Sequence, residues 1–153
     1  MSIFYMMVGL PASGKSTVAN SLGGNVIVRS SDELRDKLLG DINDMSNNSG
    51  VFDILHSLVK SDLYCGKDVV YDATNIYPKY RKEFLQSLHL LNCKKVCIFM
   101  NIPFYDCWRR NSQRDRVVPF EAMDRMRERL IPPTMDEGWD EIFEVRYSFK
   151  EEV

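Results

Sequence analysis

The chain has 153 residues, a hydrophobic content of 44%, a charged content of 27% and a formal net charge of −2 at pH 7. These values are typical of a single soluble globular domain, so we expect one domain over residues 1–153. The slight acidity argues against a protein that coats long nucleic acid through a broadly basic face. No apolar run approaches the roughly 20 residues that span a bilayer; we expect no membrane partner and a cytoplasmic location.

The first pattern in the chain is an apolar segment followed by a glycine-rich loop. Residues 3–8 are predicted as a buried strand, and residues 9–17, GLPASGKST, fit G-x-x-x-x-G-K-S/T at every fixed position. A loop that wraps a phosphate chain must aim several backbone N–H groups inward, and Gly9 and Gly14 supply the permissive backbone. The helix predicted over residues 16–22 presents its free N–H groups to the same anion.

This loop predicts a binding site for a nucleoside triphosphate such as ATP. The predicted ATP-binding residues are Gly9, Pro11, Ala12, Ser13, Gly14, Lys15, Ser16 and Thr17. Lys15 is a point charge long enough to reach the β- and γ-phosphates, and the Ser16 hydroxyl is a hard oxygen suited to Mg²⁺. The alternative is a strand-to-helix turn that contains Lys-Ser by chance.

Beyond the loop, strands and helices alternate, which is typical of a parallel sheet with helices on both faces. Further strands are predicted over residues 25–29, 68–72, 95–102 and 142–147, and helices over residues 30–39, 51–64, 78–91, 104–114 and 120–130. Residues 41–50 are predicted as a polar loop. We expect a three-layer α/β fold of the P-loop NTPase type, with a central, mostly parallel sheet of four or five strands and a small helical lid near residues 110–120.

Polar residues just past the strands are candidates for the reaction, because ligands collect at the carboxyl ends of parallel strands. Asp72 closes an apolar run, as a metal-binding carboxylate does, and we assign it to Mg²⁺. Asp32 follows the second predicted strand and is either the general base or an N-terminal helix cap. Arg35 lies one helical turn further on, where it can hold an acceptor phosphate or pair with Asp32. Thr74 and Asn75 are candidates for contact with the acceptor.

Two arginines after the fourth predicted strand are candidates for contact with the transition state. Arg110 and Arg114 are spaced i, i+4 on one face of a predicted helix, next to a break at residues 117–119. A guanidinium on a closing lid is a common way to stabilise the charge of phosphoryl transfer. The other interpretation is a solvated basic face. In the following helix, we predict a buried stripe of Phe120, Met123, Met126 and Leu130.

Three short segments carry a resemblance to a known family: SDELR at residues 31–35, DATN at residues 72–75, and RNSQR at residues 110–114 before Val118-Pro119. In this order, and together with the phosphate loop, they resemble the kinase domain of bacteriophage-type polynucleotide 5′-hydroxyl kinases from residue 1 to about residue 129. The resemblance implies transfer of the γ-phosphate of ATP to the 5′-OH end of DNA or RNA during nucleic-acid repair.

The resemblance also implies a role for each matching residue. Lys15 and Ser16 would contact the phosphates and the metal, and Asp32 would be the general base. Arg35 would hold the 3′-phosphate of the acceptor, and Arg114 would contact the transition state with Arg110 nearby. The chain departs from the family at Ser31-Asp32, where Arg-Asp is usual, and this change leaves the choice of acceptor open. It also contains no D-x-D-x-T motif of the 3′-phosphatase that often accompanies this kinase.

Two other functions are compatible with the same residues. A small-molecule kinase of the same superfamily would phosphorylate a nucleoside, sugar or antibiotic hydroxyl, and would not respond to oligonucleotides in a salt-sensitive way. A non-catalytic nucleotide-binding module would keep its function in Asp32→Asn and lose it in Lys15→Ala.

Overall fold

The computed structural model describes residues 1–146. The strands are β1 (Ser2–Val8), β2 (Val26–Ser30), β3 (Asp68–Asp72), β4 (Cys93–Asn101) and β5 (Glu141–Arg146). The helices are α1 (Lys15–Asn20), α2 (Ser31–Leu39), α3 (Asn48–Tyr64), α4 (Pro78–Ser87), α5 (Phe104–Asn111) and α6 (Phe120–Arg129), with a short 3-10 helix at Met135–Glu137. Within this range, no helix is both long enough and apolar enough to cross a membrane.

All strand pairings in the five-stranded sheet are parallel, and the order is β2-β3-β1-β4-β5. This confirms the predicted α/β fold with helices on both faces. Strand β1 is central, with β3 and β2 on one side of it and β4 and β5 on the other. Ser30 at the end of β2 pairs in register with Asp72 at the end of β3. The polar segments that follow these two strands therefore start side by side at the carboxyl edge of the sheet.

Side chains of β1 alternate between the two hydrophobic cores. Phe4, Met6 and Val8 belong to the core under α3 and α4. Met7 points to the other face, where it joins the core formed with α1, α5 and α6. This division follows from the two-residue period of a strand, and it leaves β1 buried on both sides. The phosphate loop thus starts from a rigid, central strand.

The predicted helix over residues 104–114 is shorter than expected, because α5 ends at Asn111. The Asn111 side chain, which is fully buried, accepts a hydrogen bond from the backbone N–H of Val118 at 3.0 Å and donates one to its carbonyl at 2.8 Å. These bonds close a loop over residues 112–119, which we call the arginine loop because it carries Arg114 and Arg116. The prediction that Arg110 and Arg114 share one helical face is therefore wrong.

Other boundaries differ by a few residues. Helix α3 begins inside the predicted polar loop, because the side chain of Asn47 accepts a hydrogen bond from Gly50 N–H and caps it. Helix α4 ends four residues before its predicted end. Phe120 is 44% exposed rather than buried, since it lies at the first turn of α6 with its ring against Phe104 and Trp108. The predicted last residue of β5, at position 147, lies outside the described residues.

Candidate active site

A cleft of about 1000 Å³ opens at the carboxyl edge of the sheet, between the phosphate loop, α2 and the arginine loop. Most of the predicted site residues line it: Pro11, Ala12, Gly14, Lys15, Ser16, Thr17, Asp32, Arg35, Asp72, Thr74, Arg110 and Arg114. Gly9 and Ser13 form the inner side of the phosphate loop, where both are buried. The fold therefore brings together residues that are far apart in the sequence.

The phosphate loop has the backbone that the sequence pattern requires. Gly14 has a φ of +95° and Ala12 a φ of +61°, so the chain passes twice through the left-handed region. At Gly9, a Cβ atom would lie 2.9 Å from the Cβ of Met100 on β4, a distance that side chains do not tolerate. Gly14 has no side chain with which to cap α1. The first-turn N–H groups of this helix are therefore left to bind an anion.

Lys15 is held at the base of the loop. Its Nζ donates a hydrogen bond to the carbonyl of Leu10 at 2.7 Å. Burial lowers the pKa of Lys15 to about 8, although the nearby carboxylates of Asp72 and Asp32 act in the opposite direction. A polyphosphate at Nζ would favour the charged lysine further, because an opposite charge raises the pKa of an ammonium group.

Ser16 and Asp72 meet beside the loop. The Ser16 hydroxyl donates to Asp72 Oδ2 at 2.9 Å. Burial raises the pKa of Asp72, against the opposing effects of Lys15 and of the Ser16 hydrogen bond. No group of three or more His, Cys, Asp or Glu side chains within residues 1–146 could hold a metal by itself. One hydroxyl and one carboxylate fit Mg²⁺, which keeps waters and takes phosphate oxygens as its other ligands.

Asp32 lies in the first turn of α2, where two guanidinium groups hold its carboxylate. Arg35 Nη1 is 3.1 Å from Oδ1, and Arg116 Nη2 is 2.7 Å from Oδ2. The cap of α2 is Ser30, whose hydroxyl accepts a hydrogen bond from Glu33 N–H at 3.3 Å. The alternative of Asp32 as the helix cap is therefore wrong. About half of its side chain, 48%, is exposed, so an acceptor hydroxyl can reach it from the cleft.

Arg35 is a buried cation in the wall of the cleft. It is only 3% exposed, and its Nη2 donates to Asn48 Oδ1 at 2.7 Å. Its Nε is buried and has no hydrogen-bond partner within the described part of the chain. The same holds for the Nε atoms of Arg114 and Arg116 in the arginine loop. Arg35, Arg114 and Arg116 all line the cleft, and this concentration of positive charge suits an anionic ligand.

The two predicted lid arginines occupy different positions. The guanidinium of Arg110 lies beside the phosphate loop, 3.8 Å from where a Cβ on Gly14 would be. Arg114 is in the arginine loop, where Nη2 donates to Asn111 Oδ1 at 3.2 Å. Burial lowers the pKa of Arg114, with a further contribution from the neighbouring charge of Arg116. Both arginines face the same cleft.

Hydrogen bonds join Thr74 and Asn75 to the parts of the fold that surround the cleft. The Thr74 carbonyl accepts a hydrogen bond from Gly9 N–H at 3.0 Å, which joins this segment to the phosphate loop. Asn75 has a φ of +48° and its side-chain amide donates to the Met7 carbonyl at 2.8 Å. Arg81, on α4, donates to the Asn75 carbonyl at 2.8 Å. Thr74 lines the cleft itself, and Asn75 lines an adjoining groove.

Four residues belong to the site although no sequence pattern assigned them a role there: Asn48, Arg81, Asn111 and Arg116. Arg116 is 84 residues from Asp32 in the chain, and Arg81 is 56 residues from its partner Glu137. No local pattern marks such pairs. The signal for Asn111 and Arg116 is their place in the predicted lid, since Asn111 lies inside the RNSQR segment and Arg116 two residues after it.

The parallel sheet and the phosphate loop together define a P-loop nucleotide-binding domain with a kinase-type fold. The sequence agrees, since a family model described as AAA domain matches residues 4–133. The match covers most of the chain, and the chain therefore belongs to this family.

Individual relatives share only a low sequence identity with the chain. The chain is 24% identical over 142 residues to an L-seryl-tRNA(Sec) kinase of Methanococcus maripaludis, and the match covers 88% of the chain and 55% of the relative. The chain thus spans about half the length of this curated relative.

Solved structures share the fold. A chain of the Pnkp1/Rnl/Hen1 RNA repair complex superposes with a TM-score of 0.70 at 20% identity, over 84% of this chain and 44% of that one. A gluconokinase from Sinorhizobium meliloti 1021 gives a TM-score of 0.67 at 16% identity, over 97% and 84%. These similarities show the architecture and leave the acceptor open.

Proposed function

We propose that this protein is an ATP-dependent polynucleotide 5′-hydroxyl kinase that acts in nucleic-acid repair. The observation that carries the proposal is the position of Asp32, which lines one cleft together with the phosphate loop and with Arg35 and Arg114. In the proposed reaction, the 5′-hydroxyl loses its proton to Asp32 as its oxygen attacks the γ-phosphorus of ATP. The bond to the β-phosphate oxygen breaks, and ADP leaves.

The donor side of the cleft would hold ATP with Mg²⁺. The phosphate loop and Lys15 would bind the β- and γ-phosphates, while Ser16 and Asp72 would orient the metal. Bound Mg²⁺ would neutralise charge on the phosphates. Arg110, beside the phosphate loop, and Arg114, in the arginine loop, would stabilise the charge of the transferring group, with residues 110–120 acting as a lid.

The acceptor side would start at Arg35. This guanidinium lies next to the proposed base, so a phosphate bound to it would present a neighbouring hydroxyl to Asp32. Thr74 and Asn75 would contact the same acceptor. One relative is named as a kinase of L-seryl-tRNA(Sec) and one structure for RNA repair, and these names favour an acceptor that contains RNA. The four free cysteines fit a reducing compartment such as the cytoplasm.

The test is transfer of label from γ-labelled ATP with Mg²⁺ to 5′-OH oligonucleotides of DNA and RNA. We expect labelled product with the wild type and none with Lys15→Ala. Asp32→Asn should lower turnover by about 10²–10⁴-fold, the range for a lost general base, while ATP binding is retained. No label on any oligonucleotide, with ATP hydrolysis intact, would reject the proposal. Phosphorylation of a sugar or nucleoside hydroxyl would then identify the small-molecule alternative, whose fold this chain also shares.

A further inference from the structure

A second groove, of about 710 Å³, adjoins the catalytic cleft. The residues that line both are Asn48, Phe52, Thr74, Ala122 and Met126. Asn48 accepts the hydrogen bond from Arg35 described above, so the groove begins where the proposed acceptor site ends. We call it the aromatic groove, and its main side chains are Phe52, His56, Tyr71, Tyr77, Tyr80 and Phe84. An acceptor strand that enters the cleft at Asp32 and is longer than one nucleotide can continue along this groove.

Two tyrosines at the start of α4 leave their rings partly open to the groove. Tyr77 is 37% exposed and Tyr80 is 61% exposed. Their rings are edge to face, with centroids 5.8 Å apart. Phe84 and Tyr71, which also line the groove, are buried in the hydrophobic core. Lys79 Nζ lies over the Tyr80 ring, 5.8 Å from its centroid. Partly exposed aromatic rings are a surface on which bases of single-stranded nucleic acid stack.

The groove lining carries a small excess of positive charge, in contrast to the chain as a whole. Its walls contain four cations, Lys60, Arg81, Arg125 and Arg129, and two carboxylates, Asp53 and Glu83. Arg81 is occupied by a buried ion pair with Glu137. Lys60 Nζ lies over the Phe84 ring, 5.8 Å from its centroid. Arg129 donates a hydrogen bond to the Tyr77 hydroxyl at 3.3 Å. Cations beside exposed aromatic rings match a ligand that alternates phosphates with bases.

We propose that the aromatic groove binds the nucleotides that follow the 5′-terminal one in a single-stranded acceptor. Bases stack on Tyr77 and Tyr80, and the backbone phosphates lie against Arg125, Arg129 and Lys60. The inference rests on the proposed function and deepens it, since it assigns the rest of the acceptor strand. It makes the preferred substrate a polymer with unpaired bases at its 5′ end.

The first experiment compares two acceptors with the same 5′ nucleotide, a nucleoside 3′-phosphate and a trinucleotide. One base–aromatic stack raises affinity on the order of 5- to 150-fold, and we expect kcat/KM to favour the trinucleotide by such a factor. Tyr80→Ala should remove most of this advantage. The matched control is Tyr105→Ala on α5, because Tyr105 is 70% exposed and, within residues 1–146, lines neither the cleft nor the groove. Equal kcat/KM for the two acceptors in the wild type would overturn the inference and leave the proposed function intact.

The second experiment measures binding without catalysis, by fluorescence anisotropy of a labelled single-stranded oligonucleotide. Tyr77→Ala and Tyr80→Ala should each weaken binding by about 5- to 150-fold. Arg125→Gln should lower the slope of log affinity against log salt by about 0.7, the value for one phosphate contact with a single strand. If no acceptor is phosphorylated, the proposed function fails, and this binding assay alone decides the groove. A salt-independent or undetectable affinity, or one unchanged in both tyrosine variants, would overturn it.

Discussion

The ion pair between Arg81 and Glu137 gives the sharpest test of how this site is supported. Arg81 is 1% exposed and contacts the carboxylate with two nitrogens, Nε to Oε1 and Nη2 to Oε2, both at 2.8 Å. The same guanidinium donates to the carbonyls of Asn75 at 2.8 Å and Ile131 at 2.9 Å. It therefore ties α4 to the segment that follows β3 and to the segment that follows α6.

Arg81→Met should lower the free energy of unfolding by about 3–5 kcal/mol, because it leaves a buried carboxylate without its countercharge. The double variant Arg81→Met/Glu137→Met removes both charges. It should be more stable than Arg81→Met alone by about 1 kcal/mol or more. This holds although the two carbonyls still lack a donor, and Trp139 Nε1 and Thr134 N–H lose their acceptor on Glu137. A simple sum of two single effects is not expected for groups in contact.

Urea unfolding followed by far-UV circular dichroism measures these differences, since Trp139 fluorescence would itself respond to the change. Burial raises the pKa of Glu137, but hydrogen bonds from Arg81 and Trp139 outweigh it and hold the pKa below its ordinary value. This stabilisation is present above the ordinary pKa and is lost as the pH falls through the lowered value. The gap between wild type and Arg81→Met should therefore be widest near neutral pH and narrow in acid. A loss below about 1 kcal/mol at pH 7, or a gap that widens in acid, would refute this account.

Three further predictions concern the cleft. Gly9→Ala should destabilise the fold by about 1–3 kcal/mol through overpacking, whereas Gly24→Ala, where a Cβ meets nothing within 4 Å, should be neutral. Urea unfolding compares the two variants, and equal effects would contradict the packing argument. Asp72→Asn should weaken nucleotide binding, measured by calorimetry, by about 10- to 100-fold in Mg²⁺ and much less in EDTA. An equal loss of affinity with Mg²⁺ and with EDTA would show that Asp72 is not part of the metal site. Arg35→Ala should mainly raise the acceptor KM in steady-state assays, and an unchanged KM would confine this residue to its ion pair.

Local patterns were sufficient to predict much of this architecture. The phosphate loop was predicted because its glycines, lysine and serine are fixed within nine residues and are flanked by a strand and a helix. The parallel sheet was predicted because strands and helices alternate along the chain. Asp72 and Asp32 could be placed at the site because the carboxyl ends of parallel strands share one edge. The assignments of Asp32 as base and Arg35 as acceptor contact remain predictions.

The errors lie where a side-chain hydrogen bond or the position at a helix end overrides the periodic pattern. The sequence after Arg110 continues a helical period, but the side chain of Asn111 bonds to Val118 and ends the helix. Arg114 therefore lies in a loop. Phe120 has the spacing of a buried residue, but it falls at the first turn of α6, where the helix is only partly covered.

The sequence by itself determined the nucleotide-binding loop, the class of fold and the edge of the sheet at which the site lies. All three depend on hydrogen bonding and side-chain period over a few residues, which are properties of the local chain. Only the tertiary structure decided which cations meet Asp32, how Arg81 supports the segment after β3, and that an aromatic groove continues from the cleft. These features join residues as much as 84 positions apart. Their geometry is fixed by how the helices pack on the sheet, which no local pattern encodes.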